Sequence, residues 1–530
     1  MLLSLLLVSV LTFTFNIQPV KAMGEVLGFD EIAGTLAVGQ AYGIAGSNIN
    51  DAIFHPRVTY ENGPWAYAIA SGDLNSDGLN DVVVTSLYKN IIDVFTQNPL
   101  GTLNPRVTYP MGSGSDSLGV AVGDVNNDGK DDVVATNREI GRVSVFLQNP
   151  LGTLNRRIIY AVGARPVSVK IGDLNSDGLN DVVVTNWGSN TISVLTQKPS
   201  GFLNRQVTYG AGSLPWGLAV GDVNGDSKVD VVAGNYDSDT ISVYLQTASG
   251  TLSSQITYTG CDDPRGIDIG DVNSDGRNDV VVGNGRPGTI GIFTQNLEGN
   301  LNPMVSYRLT ITKPPGGSEG PSFLAIGDVN SDGLNDVVVS IANVFDSPYT
   351  INVLTQEPAG ILNPAFSLLA SHVGDSRGIA ICDLNGDERN DLVVADGYEA
   401  HTISVYTQRI VLKLTVIDFD PSTMNLKSKG QWITAYLQPP QGHNAEDIDA
   451  TSILLNDTIH PILDPKYGFV TNPSGYLVDD NGDGILERMV RFDRAEVMAL
   501  LSSGYTTLAI TGEVNGISFE GTDTIRLINE

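Results

Sequence analysis

An acidic nine-residue pattern, D-x-N-x-D-x-x-x-D, occurs seven times in this sequence and defines loops 1 to 7 in chain order. In loop 1, Asp73, Asn75, Asp77 and Asp81 offer side-chain oxygens at positions 1, 3, 5 and 9, and Leu79 offers a backbone carbonyl at position 7. Ca²⁺ accepts an irregular shell of about six to eight oxygens, whereas Mg²⁺ requires near-octahedral geometry and retains waters. The pattern therefore predicts seven calcium sites.

Loops 2 to 7 offer the same kinds of ligand at the same positions, with a backbone carbonyl at position 7 in each. The predicted ligands are Asp124, Asn126, Asp128, Lys130 and Asp132; Asp173, Asn175, Asp177, Leu179 and Asp181; Asp222, Asn224, Asp226, Lys228 and Asp230; Asp271, Asn273, Asp275, Arg277 and Asp279; Asp328, Asn330, Asp332, Leu334 and Asp336; and Asp383, Asn385, Asp387, Arg389 and Asp391. An EF-hand is excluded because position 12 is valine or alanine in every copy, where an EF-hand has a bidentate glutamate.

Position 6 separates the loops into two groups. Five loops have glycine there, which permits a tight bend, while loops 4 and 7 have Ser227 and Glu388. We expect strain and the weakest calcium binding in these two loops. Asp, Asn and Gly also form ordinary turns, but a turn needs no third or fourth crowded acidic ligand. Metal binding is favoured, in a structural role, because no loop combines a nucleophile with a base.

The loops lie within a repeat of about 50 residues, which is the length of a propeller blade. In the first unit, strands are predicted over residues 66–71, 81–85, 91–97 and 106–109. The Val-Val-Val runs of the second strands lack polar alternation, which is typical of strands buried on both faces, whereas the fourth strands alternate as outer edges do. The predicted class is all-β.

The two ends of the repeat array complement each other. The seventh unit stops after its third strand, at residues 403–408, whereas an unmatched strand at residues 57–60 precedes the first unit. That strand fits the missing place and would remove the open edges of the array. The sequence thus predicts a seven-bladed β-propeller closed by an N-terminal strand.

The segment Gly-Asp-Leu-Asn-Ser-Asp-Gly-Leu-Asn-Asp-Val-Val-Val at residues 72–84, with its copies, resembles the FG-GAP and VCBS repeat families and the propeller of integrin α subunits. The resemblance covers about residues 54–408. It implies calcium loops on one face and a ligand-facing surface on the opposite face. The residues predicted to bind a ligand there are Tyr67, Trp187, Trp216, Tyr236, Arg265 and Arg377. Packing around the central channel explains these residues equally well.

The chain divides into four predicted segments. Residues 1–22 form a signal peptide with an apolar run, although its lack of Lys or Arg leaves an N-terminal membrane anchor as the alternative. A linker (23–53), the propeller (54–410) and a small β-sandwich domain (411–530) follow, with a helix in the last domain capped by Asp493. This domain has an eighth acidic loop, predicted to bind calcium through Asp479, Asn481, Asp483, Ile485 and Glu487.

Charge and cysteine content limit the function. Sixty acidic residues against thirty basic ones give a net charge of −30, which argues against nucleic acid and anionic membranes as partners. Cys261 and Cys382 provide no disulfide framework, and Cys382 is expected to be a buried free thiol. The prediction is a secreted or cell-surface binding module, not an enzyme, that recognises an extracellular glycan or protein in adhesion.

Two alternatives remain open from the sequence. A propeller-type extracellular enzyme such as a polysaccharide lyase would use Arg265, Arg377, Tyr236 and His401, and a structural surface-layer component would bind its own copies. The identity of the ligand and the oligomeric state are not predicted.

Overall fold

The computed structural model describes residues 53–114, 116–286, 288–309, 320–342, 348–363, 366–373, 377–409, 411–414, 416–425, 430–440, 442–456, 458–501, 504–515 and 517–528. The predicted signal peptide and all of the predicted linker except residue 53 lie outside these residues. Within them the chain is predominantly β-strand, which confirms the all-β class.

Seven four-stranded antiparallel sheets, numbered 1 to 7 by the loop that each contains, occupy the repeat region. From the innermost strand outward, sheets 1 to 4 comprise Ala66–Gly72, Asp81–Ser86, Ile91–Phe95 and Val107–Pro110; Val120–Gly123, Asp132–Asn137, Arg142–Phe146 and Ile158–Ala161; Pro166–Gly172, Asp181–Asn186, Thr191–Leu195 and Val207–Gly210; and Pro215–Gly221, Asp230–Asn235, Thr240–Tyr244 and Ile256–Thr259. Sheets 5 to 7 comprise Pro264–Gly270, Asp279–Asn284, Thr289–Phe293 and Val305–Arg308; Gly320–Gly327, Asp336–Ala342, Pro348–Leu354 and Phe366–Val373; and Ile379–Cys382, Asp391–Ala395, Thr402–Tyr406 and Val58–Glu61.

In sheet 1, burial is greatest in the second strand and lowest in the fourth strand, while the innermost strand is partly buried toward its C-terminal end. Val82, Val83 and Val84 in the second strand of sheet 1 are fully buried, because neighbouring sheets cover both faces. The predicted alternation is absent from the fourth strand of sheet 1, in which only Tyr109 is partly buried and Val107 is half exposed. Short bridges close the hairpin between third and fourth strands, for example between Gln148 and Leu154. This hairpin and the acidic loop lie at the same end of sheets 1 to 6.

Sheet 7 is completed by the N-terminal strand, which confirms the predicted pairing. Val58–Glu61 runs antiparallel to Thr402–Tyr406, with Val58 opposite Val405. Sheets 7 and 1 then contact each other through Asn80, whose amide donates to the carbonyl of Asp383 at 3.1 Å. The N-terminal strand thus joins the last sheet, and the last sheet packs on the first.

Cys382 marks the junction between sheets 7 and 1. In the other six sheets a glycine ends the innermost strand, and a Cβ atom on Gly72 would lie 2.5 Å from Val122 of the next sheet. Sheet 1 instead presents the small Ser71 to Cys382, which leaves space for a side chain there. Both cysteines are free and buried, as expected for Cys382, and burial raises the pKa of each thiol to about 12.

Two short hairpin sheets lie in the repeat region, Gln97–Asn98 with Thr102–Leu103 and Gln356–Glu357 with Ile361–Leu362. The strands after the repeat region form two sheets that share one apolar core, which includes Phe419, Phe492 and Phe519. One sheet contains Val411–Lys413, Thr423–Asn425, Ile448–Leu455, Gly504–Val514 and Ile517–Ile528, and the other contains Val416–Asp420, Trp432–Gln438, Leu477–Val478 and Glu487–Asp493. The predicted helix is confirmed at Arg494–Leu500, with the Asp493 carboxylate accepting from two N–H groups of its first turn.

Short helical turns complete the described chain, at Arg138–Ile140, Gly397–Ala400, Ala445–Asp447, Gly468–Thr471 and Pro473–Tyr476. Among the described residues, no helix is both long enough and apolar enough to cross a lipid bilayer.

Candidate metal loops and the opposite rim

Each acidic loop is shaped by its own side chains. In loop 1, Asp73 Oδ2 accepts from the N–H of Gly78 at 2.9 Å, Asn75 Oδ1 accepts from Asp77 at 2.8 Å, and Asp77 Oδ1 accepts from Leu79 at 3.0 Å. The bonds from position 6 to position 1 and from position 7 to position 5 recur in all seven loops. The predicted side-chain ligands at positions 1, 3 and 5 therefore face the inside of one turn.

The aspartate at position 9 also supports the sheet. Asp81 is fully buried, and its two carboxylate oxygens accept from the N–H groups of Leu74 and Gln97 at 3.0 and 2.8 Å. The same two bonds occur in the other six loops. Burial raises the pKa of Asp81 to about 7, and the nearby charges of Asp77 and Asp73 add to the rise.

The carboxylates of one loop do not all converge on one point. Across the described part of the chain, one group of three acidic residues has carboxylate oxygens that all lie within 4.8 Å of one another, and it consists of Asp479, Asp483 and Glu487. In loops 1 to 7, the carboxylate at position 9 is directed toward two backbone N–H groups. This is the main geometric difference between the repeat loops and the eighth loop.

Positions 4 and 6 are both left-handed in all seven loops, and loops 4 and 7 have Gly225 and Gly386 at position 4, where the other five have serine or asparagine. Each of the seven loops therefore carries one non-glycine residue at positive φ, so loops 4 and 7 do not have more such residues than the other loops. Gly78 has a φ of 84°, and a Cβ atom built there would meet nothing within 4 Å, so only the backbone conformation matters. Ser227 and Glu388 occupy the same left-handed region, with φ values of 63° and 66°. Such a conformation costs a non-glycine residue about 1 to 2 kcal/mol. Whether these loops bind calcium more weakly stays a prediction.

Cationic side chains at position 7 have a role that the sequence reasoning missed, because that reasoning counted only their carbonyls. Lys228, Arg277 and Arg389 each form an ion pair with the aspartate two residues earlier, in loops 4, 5 and 7. Lys130 instead donates to Ser76 Oγ of loop 1 at 2.8 Å. In loops 4, 5 and 7, one of the charges that would attract a cation is therefore already paired.

At the opposite end of the sheets, Tyr67 is a core residue. It is only 6% exposed, its ring lies 5.5 Å from that of Phe323, and the Arg377 guanidinium lies 5.1 Å above it. For Tyr67, the packing interpretation therefore accounts for the side chain better than the ligand-binding one. Arg377 and Trp216 are partly buried.

The other predicted rim residues contact each other across sheets 2 to 5. Arg138 and Arg165 lie 5.5 and 5.4 Å from the centre of the Trp187 ring, and Thr185 donates to the carbonyl of Trp216. Trp216 packs against Tyr236 at 6.2 Å, and Arg265 lies 5.3 Å from the Tyr236 ring. We name this group the arginine–aromatic shelf; it consists of Arg138, Arg165, Trp187, Trp216, Tyr236 and Arg265.

The shelf arginines differ in their ion pairs. Arg265 donates to both carboxylate oxygens of Asp263, at 3.1 and 2.9 Å, and Arg138 pairs with Glu139 and Asp116. Arg165 is exposed, and it forms no ion pair within the described residues. Arg165 is thus the shelf cation most available to an external anion.

One position on this rim repeats an unusual backbone conformation. Eight residues before the first aspartate of loops 1 to 5, a non-glycine residue has a positive φ, from 38° to 71°. These residues are Trp65, Asp116, Arg165, Leu214 and Asp263. The sequence reasoning missed this position, because the sign of φ is not visible in a sequence. The change of residue type from repeat to repeat was visible.

A family model described as "FG-GAP-like repeat" matches the chain at residues 73–135, 124–184, 173–233, 222–282, 271–339 and 328–394. Together these matches cover more than half of the 530 residues, and each begins at the first aspartate of a loop. The chain belongs to the FG-GAP-like repeat family. This confirms the family prediction made from residues 72–84 and their copies.

Solved structures similar to this chain include several proteins of low identity. A streptogramin B lyase is 16% identical with a TM-score of 0.46, covering 67% of this chain and 98% of its own. BBS1N, solved in complex with ARL6DN, is 13% identical with a TM-score of 0.46, covering 67% and 97%. The periplasmic gluconolactonase PpgL of Pseudomonas aeruginosa is 14% identical with a TM-score of 0.44, covering 72% and 93%. No curated protein sequence matched.

Each FG-GAP-like match extends from one loop into the next sheet, and the structure shows contacts across that junction. The Gln148 amide of sheet 2 donates to the carbonyl of Asp73 in loop 1 at 2.8 Å. A Cβ atom on Gly152, in the hairpin of sheet 2, would lie 2.7 Å from the carbonyl of Asn75. Glycine is needed there for close approach, and equivalent glycines cover loops 2 to 5 and 7, so each of these six loops is covered by the hairpin of the following sheet.

Proposed function

We propose that this FG-GAP-like protein is an extracellular binding module that recognises a glycan carrying carboxylate groups. The ligand surface is the rim opposite the acidic loops, centred on the arginine–aromatic shelf. The acidic loops hold Ca²⁺ and stabilise the repeat region, and they take no part in recognition.

The observation that carries this proposal is the repeated left-handed position on the rim. A turn that requires positive φ is least strained with glycine, yet the five copies that have this conformation are tryptophan, aspartate, arginine, leucine and aspartate, whereas Gly320, the copy before loop 6, lacks it. Strained non-glycine residues concentrate at functional sites, because the surrounding structure has to support their cost. A rigid scaffold that displays different side chains from equivalent turns is typical of recognition surfaces.

The chemistry of the shelf favours an acidic glycan. Arginine binds carboxylates through paired N–H donors, and partly exposed aromatic rings offer flat apolar surface to sugar rings. Arg165 combines an unpaired, exposed guanidinium with a position beside the Trp187 ring. A second aromatic pair, Trp65 and Tyr88, lies on the same rim with ring centres 5.3 Å apart, and Tyr88 is 61% exposed. Cationic and aromatic groups thus alternate along the rim.

The chemistry of the loops supports calcium as the stabilising ion. Each loop supplies oxygen ligands only, from the residues at positions 1, 3, 5, 7 and 9 named above. Within the described residues, the carboxylates of loops 1, 2, 3 and 6 form no ion pair with Lys or Arg, so their like charges are left without a counter-ion. A bound Ca²⁺ would supply that charge and would cross-link the turn between the first and second strands of each sheet.

The ligand proposal is tested with an array of neutral and uronic-acid-containing glycans, probed with the full chain in calcium. Binding to acidic glycans is expected to fall about tenfold or more for Arg165→Ala and Trp216→Ala, since each loses a contact of roughly 1.4 kcal/mol or more. The control is Arg205→Ala, which removes an exposed arginine near the outer edge of the same sheet as Arg165. Equal loss in the control variant, or retention in all variants, would refute the shelf as the binding surface.

A further inference from the structure

The eighth acidic loop lies after the repeat region, in the second region of the protein (residues 411–528). It reproduces hydrogen bonds seen in the repeat loops. It connects the paired strands Leu477–Val478 and Glu487–Asp493. Asp479 Oδ2 accepts from Gly484 at 3.2 Å, Asn481 Oδ1 accepts from Asp483, and Asp483 Oδ1 accepts from Ile485. Unlike the repeat loops, this loop brings its three carboxylates within 4.8 Å of one another.

Glu487 makes that convergence possible. Its side chain is fully buried, and Oε2 accepts from the N–H of Asp480 at 2.8 Å, which is the bond that Asp81 accepts from Leu74 in loop 1. The other oxygen, Oε1, is buried and has no hydrogen-bond partner among the described residues. An unsatisfied buried carboxylate oxygen is costly, and a cation held by this group would remove the cost.

We propose that residues 479–487 form a calcium site that does not depend on the repeat region and fills at lower calcium concentration than loops 1 to 7. The ligands are the side chains of Asp479, Asn481, Asp483 and Glu487 and the carbonyl of Ile485. Calcium is favoured over magnesium because all five donors are protein oxygens, whereas magnesium usually retains several waters. The existence of this site does not depend on the function proposed above. Only the claim that it fills at lower calcium concentration than loops 1 to 7 rests on that function, which places calcium in those loops.

The ranking follows from how much each loop has to rearrange. In loops 1 to 7 the carboxylate at position 9 is held by two backbone N–H groups. Glu487 has Oε1 without a hydrogen-bond partner among the described residues, and a carboxylate oxygen of Glu487 lies within 4.8 Å of oxygens of Asp479 and Asp483. A site assembled before binding loses less free energy on binding.

The test is hydrogen–deuterium exchange of the full chain, measured by mass spectrometry on separate loop peptides. Calcium is raised from about 1 µM to about 10 mM, which spans the affinities of protein calcium sites. We expect the 479–487 peptide to become protected first. At ten times the dissociation constant its local opening is reduced about elevenfold. Glu487→Gln, which retains an acceptor for Asp480, should raise the calcium needed for half protection about tenfold or more.

The matched control is Glu513→Gln, which removes the same charge from an exposed position of the same region. Protection of 479–487 without protection of loops 1 to 7 would support this site and refute calcium in the repeats. Protection of loops 1 to 7 alone would refute this site. Protection of 479–487 only after the repeat loops would refute the ranking, and an equal shift in Glu513→Gln would refute the role of Glu487.

Discussion

The repeat loops and the eighth loop share a ligand pattern but use position 9 differently. Asp81 places both oxygens on backbone N–H groups, one within its loop and one on the segment after the third strand. Glu487 places one oxygen on its loop and keeps the other free. Glutamate is one methylene longer, so it can hold the turn and still reach the loop centre. Similar patterns can therefore serve mainly the fold in one region and mainly the metal in the other.

The largest effect should come from removing calcium. At ten times the dissociation constant, calcium stabilises each loop by about 1.4 kcal/mol, so EDTA should lower the melting temperature of the repeat region by about 10 °C or more. The melting temperature of the second region should fall only by the amount that one calcium site contributes. Calorimetry with and without EDTA checks this, with excess Mg²⁺ as the control. An unchanged repeat transition would contradict calcium stabilisation.

A second prediction separates the two roles of position 9 in the absence of metal. In EDTA, Asp181→Ala should lower the free energy of unfolding by about 2 to 6 kcal/mol, because it leaves the buried N–H groups of Leu174 and Gln197 without an acceptor. Glu487→Gln should cause no loss under the same conditions, since it retains one acceptor. Urea unfolding followed by circular dichroism measures both variants. Similar losses of unfolding free energy in the two variants would contradict the different roles of Asp181 and Glu487.

The cation at position 7 gives a third and smaller test. Arg277→Leu releases Asp275 from its ion pair and should raise the calcium affinity of loop 5 about two- to fivefold, the range expected for a surface ion pair. Calcium-dependent hydrogen exchange of the loop 5 peptide reports the change. Lys130→Leu is the control, because Lys130 contacts Ser76 and pairs with no described carboxylate. Equal changes in loops 2 and 5 would contradict the ion-pair explanation.

The smallest expected effect concerns position 6. Ser227→Gly should stabilise the metal-free protein by about 0.5 kcal/mol, because relief of a left-handed serine exceeds the added flexibility of the unfolded chain. Gly178→Ser should produce the opposite change, since only the backbone conformation restricts that position. Denaturant midpoints in EDTA measure both. A destabilising Ser227→Gly would show that this position is not strained.

Much of the fold could be predicted because its signals are local and repeated. Strands predicted at 66–71 and 81–85 appear as Ala66–Gly72 and Asp81–Ser86, and the pairing of the N-terminal strand with the last sheet followed from a missing strand. The rim was predicted less well. Tyr67 was expected at a ligand surface but is buried against Phe323, a residue of another sheet that no local pattern connects to it.

The sequence by itself determined the ligand types, the spacing of the loops and the order of strands, because these depend on neighbouring residues. The tertiary structure decided which oxygens remain free for a metal, since the partner of Asp81 is the N–H of Gln97 and the covering hairpin belongs to the next sheet. It also decided that Arg165 projects from a strained turn beside Trp187. Such properties depend on contacts between distant segments, and only the folded chain brings those segments together.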